Sequence, residues 1–168
     1  MQPKLPSKFR PQARPIAELM WGRGGTHTYK TNRRGAYYFS CSGHGGYIVC
    51  ANDLTDAEKV KLEKYVKPVS INIIIQTQKD GKEYVVGVDN TPLSRSGTAE
   101  RTYRYNRLLG PARWGTFELY LFEEDCDWTI LEKFTDIRLK PQDDNPTFYE
   151  AREAQIEATF SQYHGNNK

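Results

Sequence analysis

Apolar and polar positions change their rhythm several times along the chain, and each change marks an expected element. AYYFS (36–40) and GYIVC (46–50) are β-rich runs on either side of the glycine-bearing CSGHG, a pattern that predicts a hairpin. In NDLTDAEKVKLEKYVK the pattern turns helical. Thr55 and Glu58 have capping-box spacing, Asp56 sits where the helix dipole favours an acid, and Pro68 closes the segment. SINIIIQT and EYVVGV then flank Asp80–Gly81, a strong hairpin signal. The unbroken INIII suggests a strand buried on both faces or central in a sheet. TFELYLF (116–122) alternates as a strand and leads through EEDCDW into a helix over DWTILEKFTDI. The last segment, PTFYEAREAQIEATFSQYH, predicts an amphipathic helix with Tyr149, Ile156, Phe160 and Tyr163 on one stripe.

Proline and charge set the borders. Residues 1–15 carry four prolines and four basic residues and are expected to form an extended basic arm. IAELMW adds a helical turn that GRGG stops. Residues 89–113 lack a clean period and read as a long loop, and loops of that length inside compact domains are often functional. Residues 165–168 are expected to be a flexible tail. What remains, 16–164, predicts one α+β domain: a mostly antiparallel sheet with about three helices.

A chain of 168 residues suffices for one real core and is short for two. Aromatics at 12% are too many for a disordered chain. No apolar run approaches the roughly 18–20 residues that span a bilayer. The N-terminus lacks the apolar core of a signal peptide, so no membrane partner and a cytoplasmic location are expected. Three cysteines are too few for a disulfide scaffold. Net charge is +3, but residues 1–50 hold eight Lys/Arg and one acid, whereas 115–160 hold twelve acids and four bases. These halves either neutralise each other in the fold or present opposite surfaces to different partners.

Four chemistries compete for the reactive residues. Cys41-x-x-His44 has ligand-like spacing, with Cys50 or Cys126 and His27 as further zinc donors. The second close ligand pair is missing, so no cofactor is expected and zinc is the weaker reading. His27 or His44 paired with Glu123, Glu124 or Asp125 would make a general base and its orienting carboxylate. Arg23, Lys30, Arg33 and Arg34, among glycines, suit a phosphate or nucleotide, although no P-loop spacing is present. Arg101, Arg104 and Arg107 interleave with Tyr103 and Tyr105, a charge-and-stacking composition that fits nucleic acid. The plain structural readings are buried thiols, an N-cap carboxylate and tyrosines packed inward.

WGRGGTHTY, SGHGGYIV and FEEDCDW together resemble a family of bacteriophage- and plasmid-encoded proteins with W-G-x-x-T-H, S-H-G-G and E-E-D-C-x-W motifs. The matching positions are Trp21, Gly22, Thr26, His27, His44, Gly45, Gly46, Glu123, Glu124, Asp125, Cys126 and Trp128. This chain departs in having three residues between Gly22 and Thr26, and Gly43 rather than Ser before His44, with Ser42 one place earlier. The resemblance implies a mobile-element origin, a bacterial cytoplasm, and convergence of His27, His44 and the acids in space. The expected function is therefore an accessory protein that binds a host protein or nucleic-acid complex, as a counter-defence inhibitor would. The alternative is a small His/carboxylate enzyme acting on a nucleotide or other phosphate-bearing substrate.

Overall fold

The computed structural model describes Ala17, Trp21 and residues 27–41, 44–77, 79–89, 112–141 and 146–165. Its strands are β1 (His27–Tyr29), β2 (Ala36–Cys41), β3 (His44–Cys50), β4 (Val69–Thr77), β5 (Glu83–Asp89) and β6 (Ala112–Glu123). The helices are α1 (Asp56–Leu62), α2 (Trp128–Phe134) and α3 (Pro146–His164), with a single 3₁₀ turn at Ala51–Asp53. All strand pairs are antiparallel, in the order β1-β2-β3-β6-β4-β5. The α+β class expected from the sequence is the class observed. β6, the last strand in sequence, lies between β3 and β4.

The local signals hold. Thr55 Oγ1 accepts from Glu58 N at 3.2 Å and Thr55 N donates to Glu58 Oε2 at 2.9 Å, a reciprocal capping box that starts α1. Gly81 adopts φ 76° in the turn between β4 and β5, where Asp80 Oδ1 accepts from Lys82 N.

The strand period of two sorts the core into two layers. Tyr38, Tyr47, Val49, Tyr120 and Phe122 face the helices, packing with Leu54, Leu62, Ile130, Leu131, Ile156 and Phe160. Phe39, Ile48, Cys50, Ile71, Ile73, Ile75, Phe117 and Leu119 face the other way, where Ala17 and Trp21 pack. β3 is buried on both faces because β2 and β6 flank it and both layers cover it. For INIII the structure takes the second of the two expected alternatives, a strand inside the sheet and not one buried on both faces. β4 lies inside the sheet, but Ser70 and Asn72, on its helix side, are exposed and half-buried, and Thr116 Oγ1 donates to Asn72 Oδ1 at 2.8 Å. Its isoleucines at 71, 73 and 75 bury one face.

α3 also departs from the expected stripe. Ile156 and Phe160 are buried and Tyr149 is half-buried, but Tyr163 is 56% exposed. The buried line instead follows Arg152, Ile156, Phe160 and His164, an i+4 ridge. Such a ridge winds about the axis, so the helix crosses its support at an angle and the contact leaves Tyr163 behind. α2 and α3 run antiparallel, with Asp127 opposite His164, Lys133 opposite Glu157 and Arg138 opposite Glu153.

Arg33, one of the residues suited to phosphate, is engaged in the fold. Its guanidinium donates to both Glu58 oxygens at 2.9 Å and also bonds Asp136, tying the β1–β2 turn to α1 and to the segment after α2. Burial pushes the Glu58 carboxyl up, but hydrogen bonds from Arg33 and Thr55 outweigh it and hold it below the usual value. A carboxyl depressed in the folded state stabilises above its unfolded pKa, and that contribution is lost as pH falls through the folded value. Glu58→Gln should therefore flatten the acid limb of the stability curve below about pH 4.5, read as Tm against pH. Parallel curves for the two proteins would exclude the clamp as a source of acid sensitivity.

Candidate functional site

The three sequence motifs meet at the end of the sheet where β2 turns into β3 and β6 runs out. Register places His27 opposite Ser40, Ser40 opposite Gly45, and Gly46 opposite Glu123. Glu124 N donates to the Gly45 carbonyl at 3.0 Å, extending the row by one residue. Pleating then divides the expected cluster. His27, two residues before Tyr29, and Glu124, whose carboxylate covers Gly45, belong to the helix side. His44 has the parity of Ile48, and Glu123 that of Leu121, so both belong to the opposite side. The histidines are exposed and share one end of the sheet, on different faces.

The paired glycines are dictated by close approach. A Cβ at Gly45 would stand 2.4 Å from the Phe39 carbonyl oxygen and 2.6 Å from Glu124 Oε2. At Gly46 φ is 143° and a Cβ would fall 2.0 Å from the Phe122 carbonyl oxygen. Those glycines let β3 seat between β2 and β6 and leave the carboxylate of Glu124 lying on bare backbone.

Behind this row lies a buried polar cluster. The Tyr29, Tyr38 and Tyr47 rings touch edge to face at 5.7 and 4.9 Å. Tyr47 Oη donates to Glu132 Oε1 at 2.5 Å, and Arg152 Nε donates to the same oxygen at 3.1 Å. The Arg152 guanidinium stands 3.9 Å from the Trp128 ring centre and 5.4 Å from that of Tyr38. Its Nη2 is buried without a hydrogen-bond partner among the described residues. Burial, reinforced by the Glu132 carboxylate, drives the Tyr47 phenol far above its ordinary pKa. Burial also raises Tyr38, with the Arg152 charge opposing. Both phenols stay protonated, so Tyr47 is a donor and not a base.

A second cluster joins Cys126, Asp127 and His164. Cys126 Sγ donates to Asp127 Oδ1 at 3.5 Å, and His164 Nε2 lies 3.6 Å from the same oxygen and 3.4 Å from the Cys126 carbonyl oxygen. Burial first, then the charges of Asp127, Asp125 and Glu123, push the Cys126 thiol up to about 11. At neutral pH, with no metal bound, it is a thiol and a poor nucleophile.

Of the other sequence-derived residues, Lys30 and Arg34 are exposed, as are Glu123 and Asp125, and Glu124 is half-buried. Cys41 pairs with His44 across the hairpin, while Cys50 sits on the same sheet face at the far end of β3, buried in the core. Arg23, Arg101, Tyr103, Arg104, Tyr105 and Arg107 lie outside the described residues. Sequence reasoning missed Glu132, Arg152 and His164. The signal for the first two was a charge inside an apolar face: Glu132 in WTILEKF, and Arg152 three residues from Tyr149 and four from Ile156. His164 closes the predicted last helix, where no sequence signal ties it to the E-E-D-C-x-W turn.

Among the described residues these features define the class: an α+β protein with a six-stranded antiparallel sheet, three helices over one face, and an acid-rich corner beside a glycine-floored row. No helix among the described residues is long and apolar enough to cross a membrane. No protein-family model, no curated protein and no solved structure matches the chain.

Proposed function

We propose that the protein acts by binding, as a phage or mobile-element accessory protein whose acidic corner docks a basic surface of a host protein in the bacterial cytoplasm. The observation that carries this reading is the run from Glu123 to Asp127, four carboxylates in five residues, set where β6 leads into α2, with Glu123 and Asp125 exposed. Such a corner attracts cationic surfaces and speeds encounter with them, and it repels a nucleic-acid backbone. A role in inactivating a host defence enzyme fits the motif resemblance and the small size.

The test is affinity capture from a bacterial lysate with the wild type and with the double variant Glu123→Lys/Asp125→Lys, at low and high salt. Both side chains are exposed, so the variant should fold normally. The reading requires proteins captured by the wild type at low salt and reduced about tenfold or more by the charge reversal, equivalent to roughly 1.4 kcal/mol. Equal capture profiles for the two proteins would overturn it.

A further inference from the structure

We propose that Cys126, Asp127 and His164 form a binding site for one zinc-class divalent cation, a site independent of the binding reading above. Cys126 Sγ, an Asp127 carboxylate oxygen and a His164 ring nitrogen all lie within 4.8 Å of one another. Two of the separations, 3.5 Å for sulfur to oxygen and 3.6 Å for nitrogen to oxygen, are informative. Ligands at about 2.0–2.3 Å from a tetrahedral ion stand roughly 3.3–3.7 Å apart, so these separations match the edges of a zinc tetrahedron. They match a hydrogen-bonded His–Asp pair less well. His164 Nε2 faces two oxygens at 3.4 and 3.6 Å, both beyond the usual 2.7–3.2 Å of an N–H···O bond.

The donors are set in place by elements that have other reasons to be there. The His164 side chain is 11% exposed and packs against Phe160 and Tyr65, with ring centres 5.5 and 6.1 Å away, at the end of the i+4 ridge of α3. The Cys126–Asp127 turn is fixed from both sides: Glu124 N bonds the Gly45 carbonyl, and Thr129 Oγ1 donates to the Cys126 carbonyl at 2.7 Å. A thiolate, an imidazole and a carboxylate together suit zinc and its neighbours, whereas magnesium and calcium require oxygen ligands. Exposed Glu123 and Asp125 add negative potential around a cation. All three ligand residues are half-buried, and water would supply the fourth ligand of a tetrahedral shell. On binding, the cation replaces the thiol proton, which leaves to solvent. The ion would pin the end of α3 to the E-E-D-C-x-W turn. Of the residues first considered for zinc, this site keeps only Cys126.

The full chain should be purified without chelator and weighed by native and denaturing mass spectrometry. Metal-free protein is then titrated with Zn(II) alone, and separately with Co(II). The expected result is one zinc per chain lost on denaturation, and a tetrahedral Co(II) spectrum with a thiolate-to-metal band. Cys126→Ser should abolish that band, and it and His164→Gln should each weaken Zn(II) about 100-fold. Zn(II) should raise the Tm of the wild type and leave that of either variant unmoved. A wild type that binds no stoichiometric Zn(II), or variants that bind it as tightly as the wild type, would overturn the assignment. Should one variant fail to fold, the other still decides the question, because zinc bound anywhere else would be bound as tightly by it as by the wild type.

Discussion

Arg152→Ala is expected to destabilise the protein by about 3–5 kcal/mol, more than any single change at its surface. Glu132 is 1% exposed, and its carboxylate takes hydrogen bonds from Tyr47 Oη and Arg152 Nε. Removing the guanidinium strands a buried negative charge with one remaining donor, and also empties the space over Trp128 and Tyr38. For a chain of this size that corresponds to a fall in Tm of roughly 6–20 °C. The combined replacement Tyr47→Phe/Glu132→Leu/Arg152→Met should recover most of the loss, because it removes the Tyr47 hydroxyl together with its acceptor, and a buried ion pair and apolar residues of similar volume are nearly equivalent in stability. Denaturant unfolding of Arg152→Met, Glu132→Leu and the double variant that combines them measures the coupling directly. A loss below about 1 kcal/mol for Arg152→Ala would mean that water reaches the pair.

Gly46→Ala is the second large effect, expected to cost about 3 kcal/mol or more. Two independent penalties combine there. The backbone sits at φ 143°, and the new methyl would meet the Phe122 carbonyl oxygen at 2.0 Å, an atom that the β3–β6 ladder holds in place. Gly81→Ala provides the comparison: φ is 76° but nothing lies within 4 Å of the added Cβ. Its cost should be about 1 kcal/mol, from backbone strain alone. Midpoints of urea unfolding rank the two. Equal midpoints would show that β3 and β6 are not closely apposed at Gly46.

The features that were legible in the sequence are those set by near neighbours. Thr55 and Glu58 cap each other across three residues, Asp80 and Gly81 turn the chain within two, and both were readable. The α+β class followed from the same local patterns. Sheet order was not readable, because β6 must choose β3 and β4 from among all strands, and pairs such as Gly46 with Glu123 reflect packing of the whole domain. The site suffered from the same blindness. The motif resemblance implied convergence of His27 and His44, yet which face each imidazole takes depends on parity within a strand, and that is fixed only by register. Tyr163 looked like core from helical periodicity. The ridge that α3 uses depends on its crossing angle, which no window of α3 contains. Arg152 and Glu132 show the converse: charges in apolar faces read as solvated until their partners, from distant elements, are in view.

The position of β6 has a consequence for how the chain is made. During synthesis, β1–β3 and β4–β5 emerge as two separate hairpin-like pieces, each with one flank awaiting the same missing strand. Completing β6 takes 34 residues beyond Asp89, so at about 5–20 residues per second the nascent protein waits roughly 2–7 s with Ile48, Ile71 and Ile73 beside unclosed backbone. Closure then joins both pieces in one event, since a single strand zips to both neighbours. A ribosome that stalls before residue 112 therefore releases a product with two open, apolar strand edges, the kind of surface that pairs with other chains.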